Sequence, residues 1–149
     1  GPEHLNISKN RVIGYLNGLN ECGLEFDTDL LVHCTLSIED AKLATQKLLQ
    51  LKNLPDAIFG INDTVAFAAM IEVKKQKYKI PDDISLAGFT DEFHSIVVDP
   101  PLTSVSHPTF QMGEEAAKLF FESIEKGKNI NKRIMLPIDL VVRESSLKK

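Results

Sequence analysis

Apolar residues recur with a helical period at the start of the chain and then give way to a short continuous apolar run. Ser8 can cap a helix whose apolar positions follow at i, i+3, i+4 and i+7: Val12, Tyr15, Leu16 and Leu19. Gly23 stands where helices commonly end in the left-handed conformation. The run at residues 30–34 predicts a strand, and Ser37 opens a second helix with apolar residues along one stripe.

This alternation repeats twice more. Residues 57–61 are apolar without polar alternation, which predicts a strand buried on both faces. Residues 62–64 then cap a third helix, and residues 84–89 predict the next strand. Short connections between such repeats favour right-handed crossovers. We therefore predict an α/β fold, a three-layer Rossmann-like parallel sheet flanked by helices, with a ligand site beyond the carboxyl ends of its strands.

The last third predicts one short strand and one long helix. Residues 103–106 form the strand, and the helix runs from residue 109 to about residue 126, where Gly127 ends it. Its apolar residues form two stripes: Met112, Ala116, Leu119 and Phe120 on one, and Phe110, Ala117, Phe121 and Ile124 on the other. A helix that is apolar around so much of its circumference needs cover from more than one side. Short runs around Ile134 and at residues 140–142 finish the fold.

Composition and charge exclude several classes of protein. The 149 residues are 43% hydrophobic and 26% charged, which is typical of one globular domain with its own core. The formal net charge is −4, whereas a domain that grips nucleic acid usually carries a basic surplus. No apolar stretch is long enough to span a membrane, and no secretion signal is visible. We expect a cytoplasmic protein that contacts neither membrane nor, by itself, DNA.

Chemistry-bearing residues form no arrangement typical of an enzyme or a metal site. Cys22 and Cys34 lack the paired spacing of metal ligands and are interpreted as two reduced thiols, with a disulfide left open. The paired carboxylates at residues 82–83 and 114–115 fall in a turn and on a polar helical face. No nucleophile and histidine stand out as partners, and no phosphate-binding glycine loop is present. We expect no catalytic residue, no metal and no cofactor.

Five short motifs follow one another along the chain. They read RVIGY at residues 11–15, PDAIFGINDTVA at 55–66, IPDDISLAGF at 80–89, PLTSV at 101–105 and LPIDLVVRESS at 136–146. In this order and spacing they resemble the LacI/GalR family of bacterial transcriptional regulators. The resemblance implies a periplasmic-binding-protein-like fold of type I, present here incompletely, and the function of a regulator that represses transcription.

The resemblance also implies a domain organisation and a set of partners. Residues 1–149 would be the C-terminal part of the effector-binding sensor domain, and the helix at residues 108–128 would normally belong to the N-terminal subdomain. That helix would then pack against a second copy of the chain or fold back onto this domain. The DNA-binding head would be absent, so operator DNA would be bound only through a missing N-terminal helix-turn-helix. The expected partners are a small-molecule effector, a sugar or related polar metabolite, and a second copy in a homodimer.

Two candidate ligand-binding residues match the family's motifs. Arg11 lies in the predicted first helical turn, where a cation opposes the helix dipole, and its guanidinium fork suits hydroxyls or a carboxylate. The family's matching arginine reaches into the ligand cleft. Asn62 matches a ligand-contacting asparagine, and its amide can donate and accept at once. Asp63 is expected to cap the third helix.

Four further positions are candidate ligand contacts that depart from the family's pattern. Thr90 stands in place of an aspartate that typically holds two sugar hydroxyls, and Asp91 could substitute or could cap the turn after the strand. Leu36 replaces an aromatic residue that often stacks on the ligand. Ile7 replaces a polar residue near Arg11. A common pentose or hexose bound in the usual way is therefore not expected.

A sugar-binding protein of a transport system is the alternative function, because it shares the fold. The closing motif at residues 136–146 is typical of the regulators and decides in their favour.

Overall fold

A computed structural model describes residues 1–148 of the chain. Helices and strands alternate along these residues, and they build a mostly parallel sheet flanked by helices, which confirms the predicted α/β fold. The elements, apart from a 3-10 helix at Thr28–Leu30, are α1 (Asn6–Glu21), α2 (Ile38–Leu49), β1 (Ala57–Phe59), α3 (Asp63–Lys75), β2 (Ser85–Thr90), α4 (His94–Val97), β3 (Thr103–Ser106), α5 (Thr109–Glu125) and β4 (Leu140–Val141).

The sheet contains β1, β2, β3 and β4 in that spatial order. The first three strands are parallel, with Ile58 opposite Leu86 and Gly88 opposite Ser104. The short strand β4 pairs antiparallel with β3, so the sheet is mixed rather than purely parallel. Helix α3 connects β1 to β2, and α4 connects β2 to β3. The carboxyl ends of the three parallel strands consequently meet at one edge.

The core lies between the sheet and α3. Ile58 and Leu86 from the sheet pack with Ala66, Met70 and Val73 from the helix. A Cβ atom on Gly60 would lie 2.7 Å from the backbone nitrogen of Ala66, so the glycine lets α3 start close to the strand. Side chains alternate between the two faces of a strand, so Phe89 lies on the face of β2 opposite to Leu86 and to α3. Arg11 of α1 contacts Phe89 on that face.

One strand prediction and one burial prediction in the first half are wrong. Residues 30–34 pair with no strand in the described part of the chain, and the 3-10 helix occupies their start. As a result β1 is an edge strand. Its predicted burial on both faces fails as well, because only Ile58 is buried, whereas Phe59 is 46% exposed. An apolar run becomes a strand only where another strand completes its hydrogen bonds.

Helix α1 begins three residues earlier than expected. It starts at Asn6 after Leu5, which provides no side-chain cap, so the prediction of Ser8 as the cap is wrong. Ser8 lies inside the helix and is buried. Arg11 therefore sits in the second turn, where the opposition of the helix dipole is weaker. The predicted end is confirmed, since Gly23 has a φ of 67° and the next amide donates to the carbonyl of Leu19.

Helix α5 has the predicted extent, and Gly127 after it has a φ of 57°. Its apolar stripes have little cover within the chain, because none of its residues is buried and Phe110 is 84% exposed. The run around Ile134 forms no strand. Within residues 1–148, no helix combines the length and the apolar character needed to cross a membrane.

Candidate functional site

Arg11 lies over the face of an aromatic ring at the end of β2. Its guanidinium carbon is 3.5 Å from the centroid of the Phe89 ring, a cation–π contact. Its Nε atom is buried and has no hydrogen-bond partner among residues 1–148. Burial lowers the pKa of the guanidinium, and no carboxylate of the described chain offsets this shift. The arginine stays charged and retains donors for an anion or a hydroxyl.

Asn62 follows β1 at the same edge of the sheet and is half-buried. Its Oδ1 atom accepts a 2.9 Å hydrogen bond from the backbone nitrogen of Val65, so it is the N-cap of α3. The expectation that Asp63 provides this cap is wrong. The amide nitrogen of Asn62 donates to no described residue, which leaves it available to a ligand.

Asp63 has a different role, which the sequence did not reveal. Its carboxylate is buried and accepts three hydrogen bonds: 2.6 Å from the hydroxyl of Ser104, 2.9 Å from that of Ser95 and 2.9 Å from the backbone nitrogen of Glu92. A Cβ atom on Gly88 would lie only 2.2 Å from this Oδ1 atom, so glycine is required there. Asp63 thus ties the start of α3 to β3 and to the loop after β2.

Thr90, the last residue of β2, and Asp91, the first residue of that loop, have unusual backbone conformations. Their φ angles are 131° and 54°, in a region that non-glycine residues rarely adopt. Asp91 does not cap α4, whose N-cap is Phe93 without a side-chain bond. Instead its Oδ1 atom lies 2.7 Å from Nη1 of Arg143. The capping interpretation of Asp91 is therefore wrong, and its carboxylate is already engaged by a cation.

Ile7 and Leu36, the two apolar residues that depart from the family's pattern, are exposed. Ile7 lies one turn before Arg11 on α1 and is 50% exposed. Leu36 lies in the turn before α2 and is 44% exposed. Neither offers a hydrogen bond or an aromatic ring to a ligand. Ligand contact by Ile7 and by Leu36 stays a prediction.

A cavity of about 500 Å³ adjoins Arg11. Its lining comes from α1, residues 30–34, α2, β1 and the start of α3. Its wall is mainly apolar and includes Val12, Tyr15, Leu19, Leu31, Leu48 and Phe59. Each of these residues has the pattern of an ordinary core position, so the sequence contained no signal for this cavity.

The cysteines and the potential metal ligands within residues 1–148 form no further site. Cys22 and Cys34 are both free. Within residues 1–148, no three or more His, Cys, Asp or Glu side chains are grouped as metal ligands would be.

Comparison with known proteins identifies the class of this chain. The model of the periplasmic binding protein-like domain matches residues 1–146, and the chain belongs to that family. It is 36% identical over 138 residues to the HTH-type transcriptional regulator DegA of Bacillus subtilis, an alignment that covers 93% of this chain. The chain spans 41% of the length of that relative.

Solved structures narrow the class to regulators of the LacI type. The transcriptional regulator CelR–cellobiose complex superposes with a TM-score of 0.91 and 29% identity, covering 98% of this chain and 45% of that one. A putative LacI regulator from Bacillus cereus subsp. cytotoxis superposes with a TM-score of 0.93 and 25% identity, covering 100% and 53%. The resemblance to LacI/GalR regulators, with their periplasmic-binding-protein-like fold, is thereby confirmed.

Proposed function

We propose that this chain is the effector-sensing part of a bacterial transcriptional repressor, and that Arg11 binds the effector. The observation that carries the proposal is the guanidinium of Arg11, which is partly buried over Phe89 with an unpartnered Nε atom. Asn62 and Thr90 stand at the ends of the neighbouring strands. The effector is a small polar molecule, for which a carbohydrate is the family's precedent.

The hydrogen bonds of Asp63 suggest how binding would be transmitted. A ligand that contacts Asn62 and Thr90 touches two segments that Asp63 joins to β3. Movement of the start of α3, of the loop after β2 or of β3 would then move the other two, because Asp63 connects all three. In the proposed regulator this movement changes the spacing of DNA-binding heads in a homodimer, and operator DNA is bound by a helix-turn-helix rather than by this domain. Catalysis has no part in this function.

Transport is the weaker candidate. The chain is similar to DegA and to the CelR–cellobiose complex, both of which are described as transcriptional regulators. A cellobiose complex of a relative also supports a carbohydrate as the effector class, although Thr90, Leu36 and Ile7 argue against the usual contacts.

Calorimetric titration of the chain against a panel of sugars and nucleosides tests the proposal. The best ligand should lose at least about tenfold in affinity on Arg11→Ala, because a charge-assisted contact is removed. Arg133→Ala, which removes an exposed arginine, is the matched control and should leave the affinity unchanged. Equal affinity of Arg11→Ala and the parent chain would refute the site.

A further inference from the structure

The third parallel strand also places a side chain at the edge of the sheet where the effector is proposed to bind. His107 follows β3, as Asn62 follows β1, and Thr90 ends β2. The ring of His107 packs against that of Phe89 in an edge-to-face arrangement, with 5.8 Å between the ring centroids. The guanidinium carbon of Arg11 lies 3.5 Å from the centroid of the same Phe89 ring. Arg11 and the His107 ring are therefore no further apart than these two distances combined.

Both side chains keep hydrogen-bonding atoms that no described residue uses. The Nε atom of Arg11 is buried, whereas its two Nη atoms are not among the buried atoms without a partner and form no hydrogen bond within residues 1–148, so they reach solvent. His107 is half-buried. In the same part of the chain, histidine rings form hydrogen bonds or ion pairs at His33 and His94 and not at His107. Nitrogen atoms of both side chains are consequently available to a ligand.

The carboxylates close to this edge are already engaged within the chain. Asp91 lies 2.7 Å from Arg143, and the two side chains are only 20% and 15% exposed. Asp63 accepts its three hydrogen bonds from β3 and from the segment after β2. Arg11, in contrast, forms no ion pair within residues 1–148, and Thr90 brings a neutral hydroxyl. The charge of Arg11 therefore lacks a counter-charge, and a ligand of complementary charge is negative.

We infer that the effector is a polyhydroxylated molecule with one acidic group, a phosphate or a carboxylate, and that Arg11 and His107 hold this group. A guanidinium binds two oxygen atoms of such a group at once, and an imidazole donates a further hydrogen bond. Asn62 and Thr90 then contact hydroxyls of the ligand. The inference rests on the proposed function in that Arg11 binds the effector. It adds the chemical class of the effector and makes His107 a specificity-determining residue.

Calorimetric titration with matched ligands tests this inference. Each sugar and nucleoside of the panel is compared with its derivative phosphorylated at the primary hydroxyl, and each sugar also with its uronic acid. In the best-binding set, an acidic derivative should bind at least about tenfold more tightly than its neutral parent, because it gains charge-assisted hydrogen bonds. Preference for either derivative supports the inference and identifies the acid. A neutral parent that binds as tightly as both of its acidic derivatives would overturn it.

Two substitutions show whether Arg11 and His107 hold the acidic group. Arg11→Gln should weaken the acidic ligand at least about tenfold and remove the preference for it over the neutral parent. His107→Gln should weaken the acidic ligand at least about threefold and leave the neutral parent unchanged, whereas a purely structural role would weaken both. His94→Gln, the same substitution at an exposed histidine of α4, is the control and should change neither affinity. An undiminished preference for the acidic ligand in His107→Gln, with the parent's circular dichroism, would overturn the inference.

The same titrations distinguish this inference from the proposed function. If a neutral sugar or nucleoside binds in an Arg11-dependent way and no acidic derivative binds more tightly, the acidic group is wrong and effector sensing stands. If no compound of the panel binds in an Arg11-dependent way, both fail.

Discussion

The hydroxyl of Ser104 donates a 2.6 Å hydrogen bond to Oδ1 of Asp63, and both residues are buried. Ser104 lies on β3 and Asp63 begins α3, so this bond joins elements that are 41 positions apart in sequence. The second oxygen of Asp63 accepts a hydrogen bond from the backbone nitrogen of Glu92, in the loop that follows Thr90. The geometry of the candidate site therefore depends on a carboxylate beneath it.

Removal of the Asp63 carboxylate should destabilise the chain strongly. Asp63→Ala leaves two buried hydroxyls and one part-buried backbone amide without their acceptor, and should lower the free energy of unfolding by about 3–5 kcal/mol in urea titrations. Asp63→Asn keeps the volume and one acceptor, and should cost about 2 kcal/mol. Glu39→Ala, an exposed acidic residue in the first turn of α2, should change stability by no more than about 0.5 kcal/mol. A loss under about 1 kcal/mol for Asp63→Ala would contradict this role.

Two substitutions at Asn62 should separate helix capping from ligand binding. Asn62→Ala removes the acceptor for the Val65 amide and should cost about 1 kcal/mol of stability as well as affinity for the ligand. Asn62→Asp keeps the cap, so its stability should match the parent, but it removes the amide donors and should weaken binding. Ser37→Ala, which removes the cap of α2, should affect stability alone. If Asn62→Asp binds as well as the parent, the amide does not contact the ligand.

Relief of backbone strain at Thr90 should stabilise the fold at the expense of binding. A β-branched residue at a φ of 131° costs about 1–3 kcal/mol, and the extra flexibility of glycine costs about 0.5–1 kcal/mol. Thr90→Gly should therefore raise the free energy of unfolding by about 1 kcal/mol and lower the affinity for the ligand. Ser85→Gly, at the start of the same strand and outside the left-handed region, should destabilise. Thermal and urea unfolding check both, and a destabilised Thr90→Gly would show that the strain is absent.

The turn before α2 should open at acidic pH. Hydrogen bonds from Thr35, first that of its backbone amide at 2.8 Å, lower the pKa of the Asp40 carboxyl. The unfolded value is about 3.9, so the contribution of this bond is complete above that pH and is lost as the pH falls through the lower folded value. The Thr35 amide resonance should follow this titration in NMR spectra. In the Asp40→Asn variant the Thr35 amide resonance should not change over the acidic pH range. A pKa of the Asp40 carboxyl at or above its ordinary value would contradict the contact with Thr35.

The apolar stripes of α5 should drive self-association. Phe120 and Phe121 are 63% and 62% exposed, and each buried phenylalanine contributes about 1.5–3 kcal/mol. Sedimentation should show concentration-dependent association of the chain, weakened at least about tenfold when both are replaced by serine. Ile71→Ser, an exposed apolar residue on α3, should leave association unchanged. A parent chain that stays monomeric at every concentration would contradict a homodimer formed through α5.

Local patterns predicted most of the helices and strands because their causes lie within a few residues. Ser37 caps α2 through the Asp40 amide, Gly23 ends α1 with a positive φ, and the apolar run before Asn62 forms β1. The prediction for residues 30–34 failed since a strand requires a partner in space. Arg11 and Asn62 were found through motifs, whereas the cavity and the ring of Phe89 beneath Arg11 depend on how α1 lies against the sheet.

The sequence by itself determined the alternation of helices and strands, the parallel connections and the family, because periodicity, caps and motif spacing are written along the chain. Only the tertiary structure decided that Asn62 caps α3 while Asp63 binds Ser104, and that Asp91 pairs with Arg143. Asn62 and Asp63 are adjacent polar residues of similar type, and their roles differ because different groups from other segments contact them. Those groups lie close together only after the chain has folded.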